Sequence, residues 1–180
     1  GTAVSLFGDT TDVGVQDLNP NCGEDRQLTP ASDLDPSLGD VLHMTNLSYQ
    51  GSQIAGGDQS PIDVSGQNSL HIDLWSAAEG SVQLFLVSAG PAEQPVKLEL
   101  TAGTWNSFDI DLDAYAGVDL AAIEQMKFVS DGGGVTDFYI DNLMFTDAPP
   151  NYALPVVAPE TEPMVAAPAP FIPAAADGEP

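Results

Sequence analysis

The sequence predicts an all-β fold: a jelly-roll β-sandwich of about eight antiparallel strands, followed by an extended Pro/Ala-rich tail. Three observations predict it. Short runs with apolar residues at alternate positions recur at the spacing of a sandwich, clusters of Gly, Asn, Asp and Pro separate them, and only one short turn reads as helical. The stretch from Trp105 to Phe145 carries the pattern most clearly.

Taken in order, strands are expected at Ala3 to Phe7, Val41 to Leu47, Ser69 to Trp75, Ser81 to Ser88, Pro95 to Thr101, Trp105 to Leu112, Ile123 to Ser130 and Thr136 to Thr146. In the sixth, Phe108, Ile110 and Leu112 alternate with Ser107, Asp109 and Asp111, the period of a half-buried strand. In the last, Phe138, Ile140 and Met144 share one parity and Tyr139, Asp141, Leu143 and Phe145 the other, after a turn at Gly132-Gly133-Gly134. Asp141 stands beside Asn142 between aromatic residues, so its carboxylate needs a cation or hydrogen-bond donors. A short turn near Asp113 to Ile123 places Tyr115, Val118 and Leu120 to cap one end of the sandwich, and residues 8–40 read as one long polar loop of the functional or ion-ordered kind.

Residues 1–147 form one domain, long enough to bury a core. Residues 148–180 hold nine of the 15 prolines and should be extended rather than folded. Leu154, Val156, Val157, Met164, Val165, Phe171 and Ile172 make this tail more apolar than a plain spacer requires.

The chain has 27 acidic and three basic residues, a formal charge of −24. Such a surface repels nucleic acid and anionic lipid, whose phosphates are bound by Lys and Arg. It is the surface of a protein adapted to salty water, and some of its carboxylates are candidates for calcium. The lone Cys22 forms no internal disulfide. No run approaches the roughly 20 apolar residues of a membrane helix. The start at Gly1 fits a processed secreted protein or a piece of a larger one. His43 and His71 have no Cys or His at transition-metal spacing, and Asn46-Leu47-Ser48 matches the glycosylation sequon.

By parity, Leu70, Ile72, Leu74, Val82, Leu84, Leu86, Val96, Leu98 and Leu100 fill the core. The opposite parity gives His71, Asp73 and Trp75, then Gln83 and Phe85, then Lys97 and Glu99, then Gln125 and Lys127. If these strands share a sheet they form a polar platform with an aromatic side, the surface on which a sugar ring stacks and its hydroxyls find partners. The competing reading is a solvent face with cross-strand ion pairs, Lys97 with Asp73 or Lys127 with Glu99. Trp105, at the start of a strongly amphipathic strand, reads as an edge or core anchor.

The runs SLFGDTTDV, MTNLSYQGSQIAG, IDVSGQNSLHIDLWS, TWNSFDIDLDAYAGVDLAAIEQMKF and FYIDNLMF, in this order, resemble the non-catalytic carbohydrate-binding-type β-sandwich modules attached to secreted polysaccharidases of marine bacteria, such as laminarinases and agarases. The resemblance spans about Val4 to Phe145. It implies a structural calcium near the chain start and the last strand, with Asp9, Asp12 and Asp141 as ligands, oxygen donors that suit a hard cation. It also implies an extracellular glycan-binding module, and the acidic surface favours a neutral polysaccharide such as β-1,3-glucan or agar.

Catalysis is not expected. The alternating Glu, Asp, Glu series of laminarinase-type sandwiches is absent from the sequence, as are a Gly-x-Ser-x-Gly elbow and a phosphate loop. The alternative from a different class is a structural subunit of an extracellular filament or surface assembly. In that reading the apolar tail docks on a neighbouring copy, and head-to-tail contacts that fail to close give filaments.

Overall fold

A computed structural model of the chain describes residues 3–8, 27–30, 41–54, 60–130 and 134–147. Within them lie ten strands: β1 Val4–Phe7, β2 Gln27–Pro30, β3 Leu42–Thr45, β4 Tyr49–Gln53, β5 Ser69–Trp75, β6 Gly80–Ser88, β7 Ala92–Leu100, β8 Trp105–Asp111, β9 Ile123–Val129 and β10 Phe138–Thr146. The pairing is antiparallel throughout. A six-stranded sheet runs β2-β3-β10-β5-β8, with β1 also on β10, and a four-stranded sheet runs β4-β9-β6-β7. The expected sandwich is therefore present. The tail from residue 148, Asp9, Asp12, Cys22 and the glycine turn at Gly132-Gly133 lie outside the described residues.

Alternation explains the core. Leu70, Ile72 and Leu74 of β5 face Val82, Leu84 and Leu86 of β6, with Leu98 and Leu100 of β7 beside them, all at most 3 % exposed. Val96 is partly buried against the same cluster. The expected turn after β8 is a single 3-10 turn at Leu112–Ala114, capped by the Asp111 carboxylate, which accepts from the Asp113 N–H. Tyr115 is buried beside it, and Val118 and Leu120 pack on the core, closing that end of the sandwich.

Two expectations need correction. The parity assigned to the last strand holds only to Asp141. The pairing of β10 with β5 slips between Asp141 and Met144, and Asn142 sits at φ 50°, a β-bulge in the left-handed region that Asn tolerates. Beyond the bulge the faces exchange, so Leu143 and Phe145 join Phe138 and Ile140 in the core while Met144 leaves it. Gly8, at φ 149°, lies against this bulge; a β-carbon there would stand 3.2 Å from Asn142 Oδ1. The second correction is that β2 lies within the stretch expected to be one long loop, and that β4 is not among the expected strands. In β4 the inward positions are Gln50 and Ser52, both buried, so the strand has no apolar alternation to betray it.

β7 is an edge strand with Pro95 at its middle. The register with β6 runs unbroken through the Phe85 and Pro95 pair, so the ring's missing N–H falls on the free edge.

Candidate functional site

The nine residues proposed for one platform lie on two. β5 belongs to the six-stranded sheet and β6, β7 and β9 to the other. His71, Asp73 and Trp75 therefore lie on the outer face of the six-stranded sheet. Gln83, Phe85, Lys97, Glu99, Gln125 and Lys127 lie on the opposite side of the sandwich. Parity assigns a residue to a face but does not say which sheet owns the strand.

The six that stay together make a continuous surface. Reading across the four-stranded sheet, Tyr49, Val129, Gln83 and Lys97 form one row. Gly51, Lys127, Phe85 and Pro95 form the next, and Gln53, Gln125, Val87 and Glu93 a third. Tyr49 is 41 % exposed, the one large hydrophobic side chain among the described residues that stands out into solvent. Lys127 lies over the Phe85 ring, its Nζ 4.2 Å from the centroid, and donates to Glu93 at 2.7 Å. Lys97 pairs with Glu99 at 2.9 Å. Ion pairs are thus present, but with partners other than Asp73 for Lys97 and Glu99 for Lys127. Sequence reasoning missed Tyr49, Gln53 and Glu93. The first two sit on the unrecognised β4, and Glu93 lies in β7 ahead of the expected start at Pro95.

On the other sheet His71 and Asp73 are buried, at 4 % and 3 % exposure, and built into a network. His71 Nδ1 meets Asp109 Oδ1 at 2.7 Å, and Nε2 meets Asp73 Oδ2 at 3.3 Å. Asn142 Nδ2 donates to Asp73 Oδ2 at 2.7 Å, and the Ser107 hydroxyl donates to Asp73 Oδ1. Carboxylates only accept, so an imidazole between two of them donates from both nitrogens and carries a charge. Burial is the largest influence on His71 and pushes its pKa down. Hydrogen bonds to Asp73 and Asp109 and their charges outweigh it, and His71 keeps its proton above the usual range. Burial likewise works hardest on Asp73, pushing it up, but the donors His71, Ser107 and Asn142 hold it below the usual carboxylate value.

Chemically this cluster is a strand clamp. Ser107 donates to a carboxylate and not to the imidazole, and both imidazole nitrogens are occupied, so no nucleophile and base are paired in it. It ties β5 to β8 and to the β10 bulge.

The bulge also bears on the expected ion site. Asp141 is 2 % exposed and its Oδ1 accepts from the Asn142 N–H at 2.7 Å. Asn142 Oδ1 is buried with no hydrogen-bond partner among the described residues. An orphaned carbonyl-type oxygen beside a buried carboxylate is a donor set that suits calcium. Among the described residues, no three His, Cys, Asp or Glu side chains converge on a metal position.

A cleft of about 390 Å³ opens where β5 ends and β10 begins, lined by His43, Trp75, Ser76, Glu79, Asp137 and Tyr139 among others. Trp75 contributes to its wall although only 7 % exposed. Trp105 pairs with Trp75 in register at the edge of the same sheet, an edge position as expected.

No family model and no curated protein matches the chain. Solved structures do. A family 29 carbohydrate-binding module matches with a TM-score of 0.55 at 13% identity, over 82% of this chain and 93% of that one. A family 11 carbohydrate-binding module from Clostridium thermocellum, in complex with a β-1,3-1,4-mixed-linked tetrasaccharide, matches with 0.56 at 14%, over 81% and 96%. An agarase matches with 0.51 at 14%, over 61% of this chain and 22% of that enzyme. At such identities the likeness speaks for architecture alone: this domain is an antiparallel β-sandwich with the fold of carbohydrate-binding modules.

Proposed function

We propose that the domain is a non-catalytic glycan-binding module of the extracellular space, and that its ligand lies across the outer face of the four-stranded sheet. The observation that carries this reading is the row structure of that face. An exposed Tyr49, a Phe85 ring and the amides of Gln53, Gln83 and Gln125 lie on neighbouring strands. Aromatic faces stack on the apolar side of a sugar ring, while amides and the Lys97 and Glu99 heads exchange hydrogen bonds with its hydroxyls. The fold likeness to modules such as the one solved with a mixed-linked tetrasaccharide supports the same reading. The charge of −24 favours a neutral polymer, a β-1,3-glucan or agar, over a sulfated or uronate-rich one.

Calcium in this reading is structural. Asp141, the Asn142 side-chain oxygen, and Asp9 and Asp12 would hold it, and its charge would fix the β10 bulge against the start of the chain.

The experiment is depletion of the protein from solution by insoluble β-1,3-glucan and by agarose. Tyr49→Ala and Phe85→Ala should each weaken retention on the order of ten-fold while leaving the melting temperature unchanged within a few degrees. Retention that is indifferent to both substitutions would place the ligand elsewhere and defeat the reading.

A further inference from the structure

We propose that the cleft between the end of β5 and the start of β10 is a second sugar site, on the opposite side of the sandwich from the platform, which takes one or two uncharged sugar rings. The inference rests on the glycan-binding reading and assigns the fold a second point of contact.

Its volume of about 390 Å³ lies in the range of small-molecule sites. The aromatic wall is held in place before any ligand arrives. The His43 ring stacks on Tyr139 with centroids 4.2 Å apart and planes 3° from parallel, and Trp75 meets Tyr139 edge-on at 5.9 Å and 69°. A ring braced on two sides has little rotamer freedom left to lose, which favours binding.

The rim supplies acceptors. His43 Nε2 donates to Asp137 Oδ1 at 2.8 Å, which orients that carboxylate and leaves Oδ2 for a ligand, and the Asp137 side chain is 61 % exposed. Glu79, a second lining carboxylate, is exposed. Two carboxylates and an aromatic wall suit the hydroxyl groups and the apolar face of a sugar. Among the described lining residues there is no Lys or Arg, so they offer an anionic sugar no counter-charge. Occupation of both sites would let one module touch two polysaccharide chains at once.

Tryptophan emission isolates this site. The chain's two tryptophans are Trp75, in the cleft wall, and Trp105, paired with it in register; the four-stranded sheet carries none. The wild type and the Tyr49→Ala variant are titrated with neutral disaccharides, laminaribiose and cellobiose, and with choline chloride as a cationic probe. The expected result is a saturable change of emission with a disaccharide that survives Tyr49→Ala. It should weaken about ten-fold in Asp137→Ala and in Glu79→Ala. Absence of any saturable change in a protein that still binds polysaccharide overturns the second site and leaves the platform standing. A response to choline alone, or one indifferent to both rim substitutions, overturns it as well. Loss of both disaccharide response and polysaccharide retention defeats the glycan-binding reading itself.

Discussion

Replacing Asp73 with alanine should be among the most costly single changes on the outer face of the six-stranded sheet. The carboxylate is 3 % exposed and receives three donors, from His71, Ser107 and Asn142. Its removal strands the Asn142 Nδ2 donor and the His71 Nε2 donor in places where only 1 % and 4 % of those residues reach water. Each orphaned buried donor costs about 1–3 kcal/mol, and breaking a buried charged pair by deleting one partner costs about 3–5 kcal/mol in total. Two features moderate the loss: Asp109 still holds Nδ1 at 2.7 Å, and the Ser107 hydroxyl is free to turn to solvent. We therefore expect about 3–4 kcal/mol, or about 10 °C in melting temperature for a domain of this size. The assay is urea unfolding followed by tryptophan emission, with Lys97→Ala as the comparison. Lys97 and Glu99 are 52 % and 70 % exposed, and such a pair contributes under about 1 kcal/mol. If Asp73→Ala costs no more than Lys97→Ala, the network is not holding the strands together and the reasoning fails.

The same network gives the domain a pH profile. His71 is raised, so its contribution is complete below the ordinary histidine value of about 6.5 and is lost as pH rises through the higher folded value. Asp73 is lowered, so its contribution is complete above the ordinary carboxylate value of about 4 and is lost as pH falls through the lower folded one. Melting temperature should thus be flat in this respect between about pH 4 and 6.5 and decline above, with His71→Gln removing the upper limb. Tyr115 offers the opposite case: its hydroxyl is buried without a hydrogen-bond partner among the described residues, and burial pushes its phenol well above the usual range. Tyr115→Phe should be neutral or stabilising by up to about 1 kcal/mol in the same urea assay, and a clear loss would mean the hydroxyl has a partner in solution. For calcium, a chelator should lower the melting temperature of the wild type, by about 2.7 kcal/mol in stability if the ion stood at a hundred-fold excess over its Kd. Asp141→Ala should melt at one temperature with and without chelator; an unchanged wild type would remove the ion from the account.

Much of the fold was written in period-two alternation. β5 was legible residue for residue, because Leu70, Ile72 and Leu74 face the core and its neighbours are polar or aromatic. β4 was not, since its inward residues are Gln50 and Ser52, and neither was β2, four residues inside a polar stretch. The exchange of faces in β10 had a local sign in the sequence. Asn142 is a residue type that accepts positive φ, so Asp-Asn inside a strand is where a bulge is cheapest. The site was legible by half. Alternation put nine side chains on outer faces, but the assignment of β5 to one sheet and β6, β7 and β9 to the other depends on long-range pairing that no local pattern encodes. The cleft was invisible for the same reason, since His43, Trp75 and Tyr139 come from three strands far apart in the chain.

Pro95 has a bearing on how copies of this domain behave toward one another when crowded. With no N–H at the middle of β7's outer rim, and with the acidic Glu93 and Glu99 and the basic Lys97 spaced along it, the strand is a poor template for a further strand from another molecule. Two domains meeting rim to rim there would lose a ladder bond at the centre and bring like-charged carboxylates together. Copies crowded together can therefore stand side by side at β7 without zipping into a continuous sheet.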